Sequence, residues 1–259
     1  MRFTDRRQAG RTLAQRLAHL RGNVDVIVLG LPRGGVPVAF EVAHALRAPL
    51  DVFIVRKLGF PGHEEYAMGA IATGGVRVMN PDAMDLHIPE ATIATVVARE
   101  QQELERRERL YRGERAPVQI ENHVVILVDD GLATGSTMRA AAMAVKGRKP
   151  QRVVVAVPVA AVETCAALRT EVDEVVCAST PQPFRAVGIW YEDFRQVSDA
   201  EVHALLELSR LDVAQYGGTR FRRLAEGIQR RTGARRKGRF LWDRPLQPFD
   251  IDGSRARLS

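Results

Sequence analysis

Short apolar runs alternate along this chain with segments whose apolar positions recur at helical spacing. Residues 24–30 form an apolar run ending in glycine, and 36–47 follow with Val38, Val42, Ala45 and Leu46 on one helical face. A second strand is predicted over 50–55, and 70–79 reads as extended with Gly74-Gly75 as a turn. Residues 123–130 give the clearest strand, because Val124-Val125-Ile126-Leu127-Val128 is too continuous for a half-solvated sheet. A helix is predicted over 135–148, strands over 152–159 and 173–178, and a helix over 162–169 between them. Continuous Val/Ile/Leu strands separated by helices predict an α/β fold: a parallel sheet of about five strands with helices on both faces. In such sheets ligands bind beyond the carboxyl ends of the strands.

One further helix is predicted over 89–112, with Pro89 at its start and Gly113 after its end. Its apolar stripe is sparse (Ile93, Val96, Val97, Leu104). Acid-first pairs at i,i+4 (Glu103 with Arg107, Glu105 with Arg109, Glu108 with Arg112) describe a solvated face. Past residue 210 the sheet pattern ends, which divides the chain into a body, 1–210, and an extension, 211–259.

Charge sharpens that division. The net charge is +7, and residues 211–259 hold 12 basic and 5 acidic residues, so the whole excess lies there. Any contact with nucleic acid is therefore expected through the extension, around Arg235-Arg236-Lys237, and not through the body. No apolar run approaches the ~18 residues of a membrane span, and the first residues lead into no signal-like segment. Cys165 and Cys177 lie in apolar stretches and read as separate small core residues of a cytoplasmic protein.

The strongest chemical signal is Val128-Asp129-Asp130-Gly131-Leu132-Ala133-Thr134-Gly135-Ser136-Thr137. Two adjacent carboxylates at the end of a buried strand are costly unless something there needs them. The small-residue loop that follows feeds a helix, and free amides, hydroxyls and a helix N-terminus suit a phosphate. Acids beside a phosphate cradle make sense for a phosphorylated sugar, whose hydroxyls donate to the carboxylates. Earlier in the chain, Leu31-Pro32-Arg33-Gly34-Gly35-Val36-Pro37 follows the first strand and opens a helix. Its glycines permit close backbone approach to an anion, and Arg33 adds charge.

An apolar strand, two acids and Thr-Gly-x-Thr resemble the fingerprint of the type I phosphoribosyltransferases, and residues 124–137 match it throughout. The combination with Leu-Pro-Arg-Gly-Gly-Val-Pro, Val-Arg-Lys-Leu-Gly and Gly-Ala-Ile-Ala-Thr-Gly-Gly is similar to bacterial phosphoribosyltransferase-domain proteins of unassigned substrate. The resemblance implies that Asp129 and Asp130 hold the ribose hydroxyls of phosphoribosyl diphosphate (PRPP). It implies that Ala133, Thr134, Gly135, Ser136 and Thr137 hold the 5-phosphate, and that Arg33, Gly34 and Gly35 face the diphosphate. Arg56 and Lys57 match the Arg-Lys of orotate- and adenine-type members, which precedes a mobile loop. No further Lys follows; His63, Glu64 and Glu65 stand in that loop either as participants or as solvated residues. The hypoxanthine/guanine branch carries an Asp where this chain has Ala133, so its general base is missing.

A hood over the acceptor is expected at 179–197, where Phe184 and Trp190 either stack on the acceptor or pack in the core. No Lys stands in 179–192, which argues against 6-oxopurines. The implied activity is transfer of a phosphoribosyl group to a nitrogenous acceptor, with Asp129, Asp130, Arg56 and Lys57 as the catalytic set. Mg²⁺ would be held mainly by PRPP, with no direct protein ligand. The expected partners are PRPP and a small-molecule acceptor, with a homodimer as the assembly and no membrane. The alternative is a PRPP-sensing regulator without turnover whose basic extension binds nucleic acid.

Overall fold

The computed structural model describes residues 2–60, 63–79 and 89–216, with the side chains of 63–67 and 212–216 outside the description. The basic extension beyond 216 and the loop side chains of His63, Glu64 and Glu65 therefore lie outside the described residues.

The alternating apolar runs form strands β1 (Val26–Gly30), β2 (Leu50–Val52), β6 (Val124–Val128), β7 (Arg152–Val159) and β8 (Glu174–Ser179). They assemble as a five-stranded parallel sheet in the order β2-β1-β6-β7-β8. Successive side chains of a strand point to opposite faces, so each continuous apolar run feeds two cores. Val26, Val28, Val124, Ile126, Val128, Val154 and Ala156 pack on one face. Ile27, Leu29, Val125, Leu127, Val153, Val155 and Val157 pack on the other. Helices α1 (Arg6–Arg16), α2 (Gly35–Leu46) and α6 (Asp199–Tyr216) cover the first face, and α4 (Ser136–Lys146) and α5 (Val162–Leu168) cover the second. Helix α1 has no counterpart among the elements predicted from periodicity. Asp5 caps it by accepting from the Gln8 amide at 2.7 Å, and at Gly10 a Cβ would lie 2.8 Å from the Val38 carbonyl oxygen of α2.

The segment predicted as one strand over 50–55 is two elements. Leu50–Val52 joins the parallel sheet, and the chain then turns into β3 (Val55–Phe60). Strand β3 pairs antiparallel with β4 (His63–Ala72), which pairs with β5 (Val76–Met79) across Gly74 and Gly75, both at positive φ. The Ile54 amide donates to Thr73 Oγ1 at 2.9 Å, a contact between distant positions that local periodicity does not report.

Helix α3 (Glu90–Arg112) is less solvated than its charge suggests. Ile93, Val96 and Val97 cover Leu58, Met68 and Ile71 of the antiparallel sheet, while Leu104 and Tyr111 enter the main core. Glu103 pairs with Arg107 at 2.7 Å as expected, but Glu105 accepts from Gln101. Arg112 is buried and donates to Asp51 at 2.8 Å, to Glu108 at 3.1 Å and to the Val52 carbonyl. Cys165 of α5 and Cys177 of β8, expected as separate thiols, are instead paired with each other. Among the described residues no helix is long and apolar enough to cross a membrane.

Candidate functional site

The chain leaves β1 toward β2 on one side of the sheet and passes from β6 to β7 and β8 on the other. The crevice between the carboxyl ends of β1 and β6 is therefore the point where the strand order reverses, the usual ligand position in open α/β sheets. Gly30 and Val128 are register partners, so the two following loops start level with one another. The glycine loop follows β1 and the acid pair follows β6.

These two loops touch. A Cβ on Gly34 would sit 2.0 Å from Asp130 Oδ2, and one on Gly35 would lie 2.6 Å from the Val128 carbonyl and 2.9 Å from Asp129 Cα. Only glycine permits this approach. The Leu31 amide donates to the Val128 carbonyl at 2.9 Å, and the Pro32–Arg33 peptide is cis. The Gly35 amide, expected to face an anion, donates instead to the Leu31 carbonyl at 3.0 Å. Arg33 turns toward α6, 3.9 Å from Asp199, which also accepts from the Tyr111 hydroxyl at 2.6 Å.

Asp129 and Asp130 are partly buried beneath the glycine loop. Asp129 Oδ1 accepts the Asp130 amide at 2.8 Å, and Asp130 Oδ2 accepts Arg6 Nε at 2.8 Å. Among the described residues no hydrogen bond is made to Asp129 Oδ2 or Asp130 Oδ1, so each acid keeps one oxygen for a ligand. Burial raises the Asp129 carboxyl well above the usual range, and the Asp130 charge raises it further. Burial raises Asp130 as well, opposed by the charge and hydrogen bond of Arg6.

The loop after the acids is open. Ala133, Thr134, Ser136 and Thr137 line it, and Gly135 adopts φ +72° to cap α4 without any side-chain bond. Thr164 Oγ1 donates to the Ala133 carbonyl at 2.5 Å, and a Cβ at Gly135 would press to 2.6 Å from Thr164 Cγ2. The first-turn amides of α4 therefore face outward, with no intrahelical acceptors, from a loop fixed at its back.

The other predicted residues make contacts apart from the acid pair. Arg56 on β3 does not extend free: its Nη2 and Nε lie 2.6 and 2.8 Å from Glu100 Oε2 on α3. Arg99 also donates to Glu100, at 3.1 Å. Lys57 is exposed on the same strand. Phe184 and Trp190 both pack against the cluster of Phe3, Ala9, Val159 and Tyr191. Phe184 also lines an open cleft of about 570 Å³ with Ala161, Val162, Glu163, Gln182 and Pro183. The Trp190 indole nitrogen is buried without a partner among the described residues.

Sequence reasoning missed Arg6 and Tyr191. The Tyr191 hydroxyl donates to the Asp130 carbonyl at 2.6 Å, and burial followed by the Asp130 charge raises its pKa. Arg6 lies 124 positions before its acid, so no local motif reports it.

The description "Phosphoribosyl transferase domain" belongs to the family model that matches residues 4–188. Two Mycobacterium tuberculosis proteins whose names carry the words phosphoribosyl transferase, Rv0571c of strain H37Rv and MT0597 of strain CDC 1551, are each 47% identical over 216 residues. The alignments take in 83% of this chain but 48% of each relative, so the chain spans about half the length of the curated relatives it matches. The crystal structure of TT1426 from Thermus thermophilus is similar at 47% identity and a TM-score of 0.73, covering 80% of this chain and 98% of that one. Both site loops and the acid pair fall inside the matched stretch, and the chain belongs to the phosphoribosyl transferase domain family.

Proposed function

We propose that this chain transfers the phosphoribosyl group of PRPP to a nitrogenous acceptor, releasing pyrophosphate. The observation that carries the reading is the pair of free carboxylate oxygens, Asp129 Oδ2 and Asp130 Oδ1, immediately before the open N-terminus of α4. Two acceptors match the two ribose hydroxyls, and the backbone and hydroxyls of Ala133, Thr134, Gly135, Ser136 and Thr137 suit the 5-phosphate.

In this reading the C1–O bond to the diphosphate breaks with its electron pair leaving on pyrophosphate, a C1–N bond forms to the acceptor, and the acceptor's N–H proton passes to the pyrophosphate or to solvent. Catalysis rests on positioning and on neutralising the departing charge. Lys57, exposed on β3, is the cation available to the leaving group. Arg56 contributes only by exchanging Glu100 for the diphosphate, and Arg33 only by leaving Asp199. The acceptor enters from the side of Phe184, whose cleft supports a hood at 179–197. Trp190 contributes as hood packing.

Mg²⁺ fits this donor set as a substrate-borne ion. Asp129 and Asp130 are each already engaged through one oxygen, and two remaining oxygens do not fill an octahedral shell. The metal would be held by diphosphate and ribose oxygens, where it would neutralise the leaving group.

The test is binding and turnover. PRPP with Mg²⁺ at 100 times its Kd should stabilise the protein by about 2.7 kcal/mol. Asp129→Asn with Asp130→Asn should abolish the shift, and a screen of nucleobases and amines should find PRPP-dependent pyrophosphate release. An unchanged shift in the double variant would defeat the ribose assignment. PRPP binding with no turnover for any acceptor would favour a sensor.

A further inference from the structure

We infer that Arg6 is a positioning residue of this site, locking Asp130 in the orientation that presents its second oxygen to the ribose. The inference rests on the reading of the acid pair as the ribose site.

The lock is assembled from two segments far apart in sequence. The N-terminal residues zip onto the hood: the Phe3 amide donates to the Trp190 carbonyl at 2.8 Å, the Glu192 amide donates to the Phe3 carbonyl at 2.8 Å, and the Asp193 amide donates to the Thr4 carbonyl at 2.9 Å. Asp5 then caps α1, which places Arg6 in its first turn, against the acid pair. The guanidinium is held by two hydrogen bonds and two aromatic rings. Nε donates to Asp130 Oδ2 at 2.8 Å, and Nη1 donates to the Arg195 carbonyl at 2.8 Å. Its central carbon stands 3.9 Å from the Phe194 ring centroid and 5.9 Å from that of Tyr191. Tyr191 fixes the Asp130 backbone through its carbonyl. With Arg6 at 10% side-chain exposure and Asp130 at 16%, little water screens the pair.

Two adjacent carboxylates under a loop repel one another, and the cheapest relief is a shared proton. A protonated carboxyl becomes a donor and can no longer accept from both a neighbour and a hydroxyl. The charged and titratable groups facing Asp130 are Asp129 from β6, Tyr191 from the hood and Arg6 from α1. Arg33, from the glycine loop, turns away to Asp199. Arg6 is thus the cation that opposes protonation of Asp130. It occupies Oδ2 alone, so the ribose can bind without displacing it.

The experiment measures affinity for Mg-PRPP by calorimetry between pH 5.5 and 8.5 in the full chain. Arg6→Gln should weaken binding at least tenfold near neutrality and move the acid limb of the profile to higher pH. Arg6→Lys should restore most of both, because it returns the charge without the fork. Phe194→Ala loosens the guanidinium without touching the acids, and it should give a smaller loss with a smaller shift in the same direction. It carries the test if Arg6→Gln does not fold. A wild-type affinity and pH profile in these variants, or tighter binding as expected of a latch, would overturn the inference. In parallel, the Asp129→Asn/Asp130→Asn protein separates the two ideas. If it loses PRPP while Arg6→Gln does not, only the lock falls. If it keeps PRPP, the ribose reading falls and the lock with it.

Discussion

Gly34→Ala probes the contact on which the site depends. Gly34 has φ −62° and ψ −33°, ordinary helical values, so alanine meets no backbone strain there. Taken alone, replacing glycine by alanine at such a position would stabilise by about 0.4–1 kcal/mol. The new methyl, however, would lie 2.0 Å from Asp130 Oδ2, 2.7 Å from its Cγ and 3.3 Å from Oδ1. Asp130 must retreat by more than an ångström, and it is held by Arg6 through that same oxygen. Overpacking of this kind costs about 1–3 kcal/mol, and loss of a hydrogen bond between charged groups a further ~1.5–3 kcal/mol. A net loss of about 2–5 kcal/mol should therefore appear in urea denaturation, with PRPP binding weakened in step. In an Asp130→Ala background the same Gly34→Ala change should be neutral or stabilising, because the oxygen it strikes is gone. A Gly34→Ala protein as stable as wild type, or a penalty of equal size in both backgrounds, would refute the proposed clash.

Three other outcomes follow from particular residues. The folded state holds the proton of Asp129 more tightly than the unfolded chain, so stability is lost as pH rises from the ordinary aspartate range through the raised value. Asp129→Asn should consequently raise the Tm of the ligand-free protein at pH 7 while weakening PRPP binding. That advantage should shrink on acidification, and thermal scans in which it grows would count against this reasoning. Lys57→Ala should lower kcat about a hundredfold, the equivalent of ~3 kcal/mol, with a much smaller change in PRPP affinity. Equal losses in affinity and kcat/KM at unchanged kcat would make Lys57 a ground-state anchor. Arg112→Ala should cost about 3–5 kcal/mol in denaturant unfolding, because it leaves Asp51 buried without its cation; a loss under ~1 kcal/mol would contradict that burial.

The sequence determined by itself whatever repeats locally. Strands β1, β6, β7 and β8 are apolar runs between glycines and charged turns, so their existence and parallel class are readable from period and composition. The acid pair and the 133–137 loop are contiguous, which is why a linear motif carries them. The tertiary structure alone decided which groups those residues face. Residues 50–55 divide between two sheets because β3 finds β4 and Thr73, partners that loop closure supplies and periodicity cannot encode. Arg56 carries a positive charge near the start of β3, and its direction is set by Glu100 on a helix 44 positions later. Arg112 looks like a solvated helix residue until the fold brings Asp51 beneath it. Arg6 has no motif, and its counterion is 124 positions away along the chain. Charge interactions act through space and local propensity acts along the chain, so the sequence names the acids and the fold supplies the cation that holds them.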